Sequence, residues 1–136
     1  MRILKNIFSR NSRSKEDGNF FVSIKEIVGF NPIKLRYYEK AFTHRSSNKT
    51  DVHGNPLNYE RLEFLGDSML SSVIAAHLYK EAPLGDEGYL TKMRSKIVSR
   101  EHLNELGKDL KLIDLVESKV PSVHFGENIH GNIFEA

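Results

Sequence analysis

The stretch Glu60-Arg61-Leu62-Glu63-Phe64-Leu65-Gly66-Asp67-Ser68 decides how this chain is read. It opens one long apolar segment in which Glu60, Glu63 and Asp67 stand at i, i+3 and i+7. On a helix turning ~100° per residue they fall within about a 60° arc. The same stripe continues as Ser71, Ile74 and Leu78, and the opposite side carries Leu62, Leu65, Met69, Val73 and Ala76. A helix that is apolar all round is a central, buried one. Glu63 and Asp67 are therefore expected where an unpaired charge is costly. A hard divalent cation with oxygen ligands is the simplest means of keeping them ionised.

Other segments fall into order around this one. Ala41-Phe42-Thr43-His44-Arg45-Ser46 precedes it, Asn58 sits two residues before Glu60, and Gly88-Tyr89-Leu90-Thr91-Lys92-Met93-Arg94-Ser95 follows, with Phe134-Glu135-Ala136 at the end. Together they resemble the ribonuclease III family, endonucleases specific for double-stranded RNA, over about Ile24 to Ala136. The resemblance implies an all-α, RNase III-type endonuclease domain, a helical bundle around a buried central signature helix. The chain departs from the family in two ways. Asn132 stands where an aspartate is commoner. The chain also reaches Ala136 within the first turns of a helix that is long and apolar in the family, and the usual double-stranded-RNA-binding domain is not part of it. On this basis it reads as a fragment of a longer protein or a truncated product.

Size and composition agree with a globular domain. The 136 residues suffice for one core and not for two. The chain has no cysteine, which excludes disulfides and thiolate metal sites and is compatible with a reducing cytoplasm. No apolar run is long enough to span a bilayer. Residues 1–18 carry five Lys/Arg against Glu16 and Asp17, leaving 15 Lys/Arg against 16 Asp/Glu in the remainder. That remainder is less basic than a nucleic-acid binder relying on its own cations, so phosphates would be met partly through bound metal. We expect a basic, disordered tail over 1–20 and a catalytic domain over 21–136.

The expected elements are all helical, since no stretch sustains period-two alternation. They are a short helix over Ser23–Phe30 stopped near Gly29, a helix from Ile33 to Phe42 with Asn31-Pro32 as its start signal, a polar loop over Ser46–Pro56, and the central helix over Tyr59–Lys80. A turn over Pro83–Gly88 leads to a helix over Tyr89–Val98. Ser99 caps another helix running to Leu110, Leu112–Val116 adds a turn of helix, and Pro121–His130 is loop.

Hydrolysis of a phosphodiester needs an activated water and neutralisation of charge on the phosphate, and clustered carboxylates holding Mg²⁺ supply both. Glu63 and Asp67 at i, i+4 provide half of such a cluster, and Asn132 and Glu135 at i, i+3 can face them from the last helix. The resemblance points to the same four positions as metal ligands, with Asp67 and Glu135 catalytic and Mn²⁺ a substitute for Mg²⁺. An amide oxygen at position 132 can still ligate, but without charge. The resemblance further implies a homodimer with Phe64 inserted into the second subunit. Glu60, at the outer end of the stripe, is either a substrate or dimer contact or plainly solvated. The resemblance also implies cleavage of ribosomal and messenger RNA precursors in the cytoplasm to 5′-phosphate and 3′-hydroxyl ends, without DNA or membrane partners. The alternative is a non-cleaving module that grips RNA helices or a ribosomal assembly. His44 is expected to brace its loop rather than to act as a general base, and Lys92, Arg94 and Lys96 to form the wet side of their helix.

Overall fold

The computed structural model describes residues 15–136, and these divide into two compact units, up to Leu35 and from Arg36 onward. The first contains α1 (Lys15–Val28), which buries Ile24 and ends at Gly29 with φ +78°. The expected disordered tail lies outside the described residues up to 14. From Lys15 the expectation is corrected, because a helix begins there and takes in the stretch assigned to the tail.

The second unit holds α2 (Leu35–Ala41, its first residue at the junction), α3 (Glu60–Glu81), α4 (Glu87–Ile97), α5 (Arg100–Asp109) and α6 (Ile129–Glu135). Short 3-10 turns lie at 45–47, 112–115 and 122–124. The all-α expectation holds. The only β pairings among the described residues are isolated bridges, Thr43 with Glu117 and Thr50 with Pro56. No helix there is long and apolar enough to cross a membrane. Asn31-Pro32 does not start a helix, and α2 begins only at Leu35. Asp86, placed in a turn by its neighbours, is the cap of α4 and accepts from Tyr89 N at 2.8 Å. Ser99 caps α5 as its sequence position requires, accepting from His102 N.

The largest correction concerns which helix is central. None of the residues of α3 is buried; Leu65, Met69 and Val73 are each more than half exposed. The buried helix is α6, through Ile129, Gly131 and Ile133, and it packs on α3, α5 and the 112–115 turn. Leu103, Leu112, Ala41, Phe42 and Tyr59 complete the core. Within this unit, α4 and α6 cover α3 along part of its circumference, so its apolar residues outnumber the partners available to hide them.

Two glycines allow α6 to lie so deep. A methyl group built on Gly66 of α3 would collide with the backbone carbonyl oxygen of Glu135, and one on Gly107 of α5 with that of His130. Both are backbone obstructions, which no side-chain rotation relieves. Asn104 of α5 completes the docking. Its Oδ1 accepts from Gly131 N at 2.8 Å and its Nδ2 donates to Asn128 Oδ1 at 3.1 Å, supplying the first turn of α6 with the cap that Asn128 does not give.

Opposite behaviour is expected of two glycine-to-alanine substitutions. Gly66→Ala should cost about 1–3 kcal/mol by forcing α6 off α3. Gly18→Ala, with nothing within 4 Å of the added methyl, should stabilise α1 by about 0.5–1 kcal/mol. Denaturant midpoints of the two variants against the parent chain measure both.

Candidate metal and catalytic site

The site starts from the way α3 begins. Asn58 Oδ1 accepts from Glu60 N at 3.1 Å, and Tyr59 N donates to Thr43 O at 3.1 Å, so the first turn is held both from its own side chains and from the preceding segment. The Thr43–Ser47 segment is in turn tied to Glu117. His44 N donates to Glu117 O (2.9 Å), Glu117 N donates to Phe42 O (2.8 Å) and Ser47 Oγ donates to Glu117 O (3.2 Å). His44 braces this junction as expected. Its ring stacks on Phe125 at 4.5 Å, and its Nδ1 accepts from Ser46 N at 3.2 Å.

A cavity of about 340 Å³ opens where α3, α5 and α6 meet. Glu63 and Asp67 enter it from α3, and Asn132 and Glu135 from α6. Four of the residues singled out in the sequence therefore line one space, and Phe64 stands at the same cavity with 79% of its surface exposed. Glu60 does not line it; it pairs loosely with Arg45 at 3.7 Å and meets Asn58 Nδ2 at 3.4 Å. The expected burial of the acids is corrected in degree. Glu63 and Glu135 are half-buried and Asp67 is exposed, because α3 presents this face to an open cavity rather than to a core.

Burial, and after it the mutual repulsion of the acids, sets the protonation of the cavity. Burial, then the neighbouring Glu60 and Asp67, hold the Glu63 carboxyl above its usual range. Burial, then Asp67 and Glu63, push Glu135 up to about 6. Arg100, at the start of α5, is the one cation lining this space; it opposes both shifts without forming an ion pair among the described residues. Asn132 relieves Glu63 directly. Turned with its nitrogen toward α3, its amide donates to Glu63 Oε1 at 3.2 Å and to Asn128 O at 3.0 Å, where the reverse orientation would set oxygen against oxygen. Arg100, Asn104 and Asn128 escaped the sequence reading. Asn104 had a weak signal, as a polar residue beside the apolar stripe of α5, and Arg100 had none.

Three carboxylates and an amide around one cavity are the donor set of a hard cation. Among the described residues no three His, Cys, Asp or Glu side chains stand close enough to hold a metal ion unaided.

Comparison with known proteins points to one family. A family model described as "Ribonuclease-III-like" matches residues 36–136. Ribonuclease 3 of Flavobacterium psychrophilum is 67% identical over 136 residues, covering all of this chain and 55% of the relative. Ribonuclease 3 of Zunongwangia profunda is 66% identical with the same coverage. The chain spans about half the length of these curated relatives. A solved nuclease domain of ribonuclease III from Campylobacter jejuni superposes with a TM-score of 0.68 at 25% identity, covering 83% of this chain and 78% of that one. Its structure is described in terms of flexibility in a region involved in dimer formation.

The raised pKa of Glu135 fixes a sign for stability. The folded chain holds this proton more tightly than the unfolded chain, whose group titrates near 4.5. Its contribution is complete below 4.5 and is lost as pH rises through about 6. Glu135→Gln should therefore be neutral in stability at pH 4.5 and stabilising at pH 7 in chelator. The gain should stay under about 1 kcal/mol, because solvent screens this half-open group. Guanidinium unfolding at the two pH values checks it.

Proposed function

The chain belongs to the ribonuclease-III-like family, and from that premise we propose that it is the catalytic part of a Mg²⁺-dependent endoribonuclease that cuts double-stranded RNA. The observation that carries the proposal is the cavity in which Glu63, Asp67, Asn132 and Glu135 stand together. Glu63, Asp67 and Glu135 would hold the cation, directly or through water, and Asn132 would join them by rotating its amide. Bound there, the ion would supply a water of lowered pKa and neutralise charge on the phosphate, with Mn²⁺ able to substitute. Asp67 and Glu135 are the groups that orient the attacking water. Arg100 enters the same space and can meet a phosphate oxygen.

Two copies related by two-fold symmetry would each cut one strand of an A-form duplex, read by shape, phosphates and 2′-hydroxyls. Phe64, exposed beside the cavity, is the anchor of that interface, and Glu60 at the outer end of the stripe is a substrate contact. Ribosomal and messenger RNA precursors in the cytoplasm are the substrates, leaving 5′-phosphate and 3′-hydroxyl ends. A second reading, a dimer that grips RNA without cutting, is favoured by one observation: Asn132 donates to Glu63 and so stabilises the metal-free cavity.

Asn132→Asp separates the two readings, because it should act in opposite directions on two quantities. Replacing a donor by a fourth carboxylate should destabilise the metal-free chain by about 1 kcal/mol at pH 7, since a charged hydrogen bond disappears from a half-open site. The same change should lower the Mg²⁺ concentration for half-maximal cleavage, since an anionic oxygen binds a hard cation more tightly than an amide. Unfolding in chelator and a Mg²⁺-titrated duplex-RNA cleavage assay give the two numbers. Mg²⁺ curves identical to those of the parent would place Asn132 outside the coordination shell. Phe64→Asp should turn dimers into monomers in sedimentation and abolish cleavage with them.

A further inference from the structure

A second cavity, of about 700 Å³, lies beyond the first turn of α3, and nothing in the proposed chemistry uses it. Its lining includes His44, Arg45, Asn48, Lys49, Asn58 and His124, and among the described residues no carboxylate lines it. Its walls, which also include Pro56 and Val120, are more apolar than polar, and the polar part includes these cations, rings and amides. His44 is 6% exposed, and its Nδ1 is committed to accepting from the Ser46 N–H. The proton of the neutral imidazole then sits on Nε2, which has no partner among the described residues. Burial, followed by the neighbouring Arg45, lowers the pKa of His44 and keeps the ring in that neutral form. Lys49 is oriented by Glu117 at 2.6 Å, a carboxylate outside the lining, and an ammonium has three donors. Arg45 is held by Glu60 only at 3.7 Å with both side chains well exposed, so the pair is weak and the guanidinium can turn to another anion.

We propose that this cavity binds a phosphate group, supplied by the RNA strand a few nucleotides from the bond being cut. The imidazole N–H of His44, a lysine fixed in direction and a loosely held arginine, around a space that no acid lines among the described residues, are complementary to a phosphate's oxygens. The assignment to the strand rests on the double-stranded RNA reading above. Arg45 connects the cavity to Glu60, and Glu60 lies three residues, ~4.5 Å of helix rise, before Glu63 at the carboxylate site. A strand that reaches Glu63 along this face meets Arg45 on its way. The cavity would thus hold the duplex in register while the acids act on a different phosphate.

The test measures duplex-RNA affinity of the chain in chelator, so that no cleavage occurs, across a range of salt. Thr50→Glu puts an acid into the lining without removing any of its cations, and Lys49→Gln removes one of them. Leu84→Glu adds the same charge at a fully exposed position outside the cavity. Thr50→Glu and Lys49→Gln should each weaken binding roughly tenfold and reduce the slope of log affinity against log salt by about 1, as expected when one phosphate fewer is neutralised by the protein. Leu84→Glu should leave the slope unchanged. Equal slopes in all four proteins would overturn the phosphate site while leaving the substrate reading intact; no affinity of the parent chain for duplex RNA would overturn the substrate reading itself. Inorganic phosphate, titrated against the parent and Thr50→Glu, should shift the His44 ring resonances only in the parent. Such shifts without any change in the RNA slope would indicate a site for free phosphate and overturn the assignment to the strand.

Discussion

The approach of the Glu135 carbonyl to Gly66 is the interaction on which the rest of this unit depends. Two helices whose backbones touch must have no side chain between them at the crossing, and that requirement falls on one residue in the first half of α3. Because Gly66 lies between Glu63 and Asp67, the same crossing that seats α6 also delivers Glu135 to the two acids of α3. Gly107 does the equivalent on the other side, admitting the His130 carbonyl against α5. A short helix of 129–135 would not persist by its own propensity. It persists because it is held between two glycines and capped by Asn104, an α5 side chain.

That arrangement imposes an electrostatic cost. Bringing α6 to α3 gathers three carboxylates about one cavity, with only Arg100 to oppose them among the residues lining it, and burial first, then this crowding, makes Glu63 and Glu135 hold their protons more tightly. Strain of this kind is expected where binding is to occur, since a cation that enters is attracted by every group the fold has forced together. Asn132 moderates the conflict: an amide in place of a fourth acid gives Glu63 a donor in the metal-free chain.

How much of this could be seen in the sequence depended on whether the signal was local. The i, i+3, i+7 spacing of the acids and the Ser99 cap are properties of consecutive residues, and both survive in the structure. The pairing of Glu63 and Asp67 with Asn132 and Glu135, some seventy residues on, came from matching donor chemistry and family resemblance together, and the cavity contains all four. What failed was the inference from an apolar surface to burial. Leu65, Met69 and Val73 were assigned to a core because they are apolar, but burial is a property of the neighbours, and α4 and α6 leave them more than half exposed. The identity of the central helix failed for the same reason, since α6 was visible only as a few terminal residues. Asn31-Pro32 misled because a start signal says where a helix can begin and not that one does, and α2 begins only at Leu35. Arg100 could not have been found, as its role arises only where α5 meets the acids of two other helices.

The segment from Ala41 to Ser47 shows how a structural device and a functional one can be made of the same atoms. Glu117 is bridged to this segment by three backbone-mediated bonds, and its side chain then aims Lys49. His44 accepts the Ser46 N–H with one ring nitrogen, which closes the 45–47 turn, and that commitment dictates that the other nitrogen carries the proton. Thr43 O, one residue earlier, receives Tyr59 N and so fixes where α3 begins. The same segment therefore sets both the start of the acidic stripe and the direction of the basic wall beside Glu60. A loop that moved independently of α3 could not keep cations and carboxylates in a constant relation. Here they share a backbone anchor, so a polyanion would meet attraction at the start of α3 and, once a cation is bound, again at the acids, with the interval between them set by the first turn of that helix.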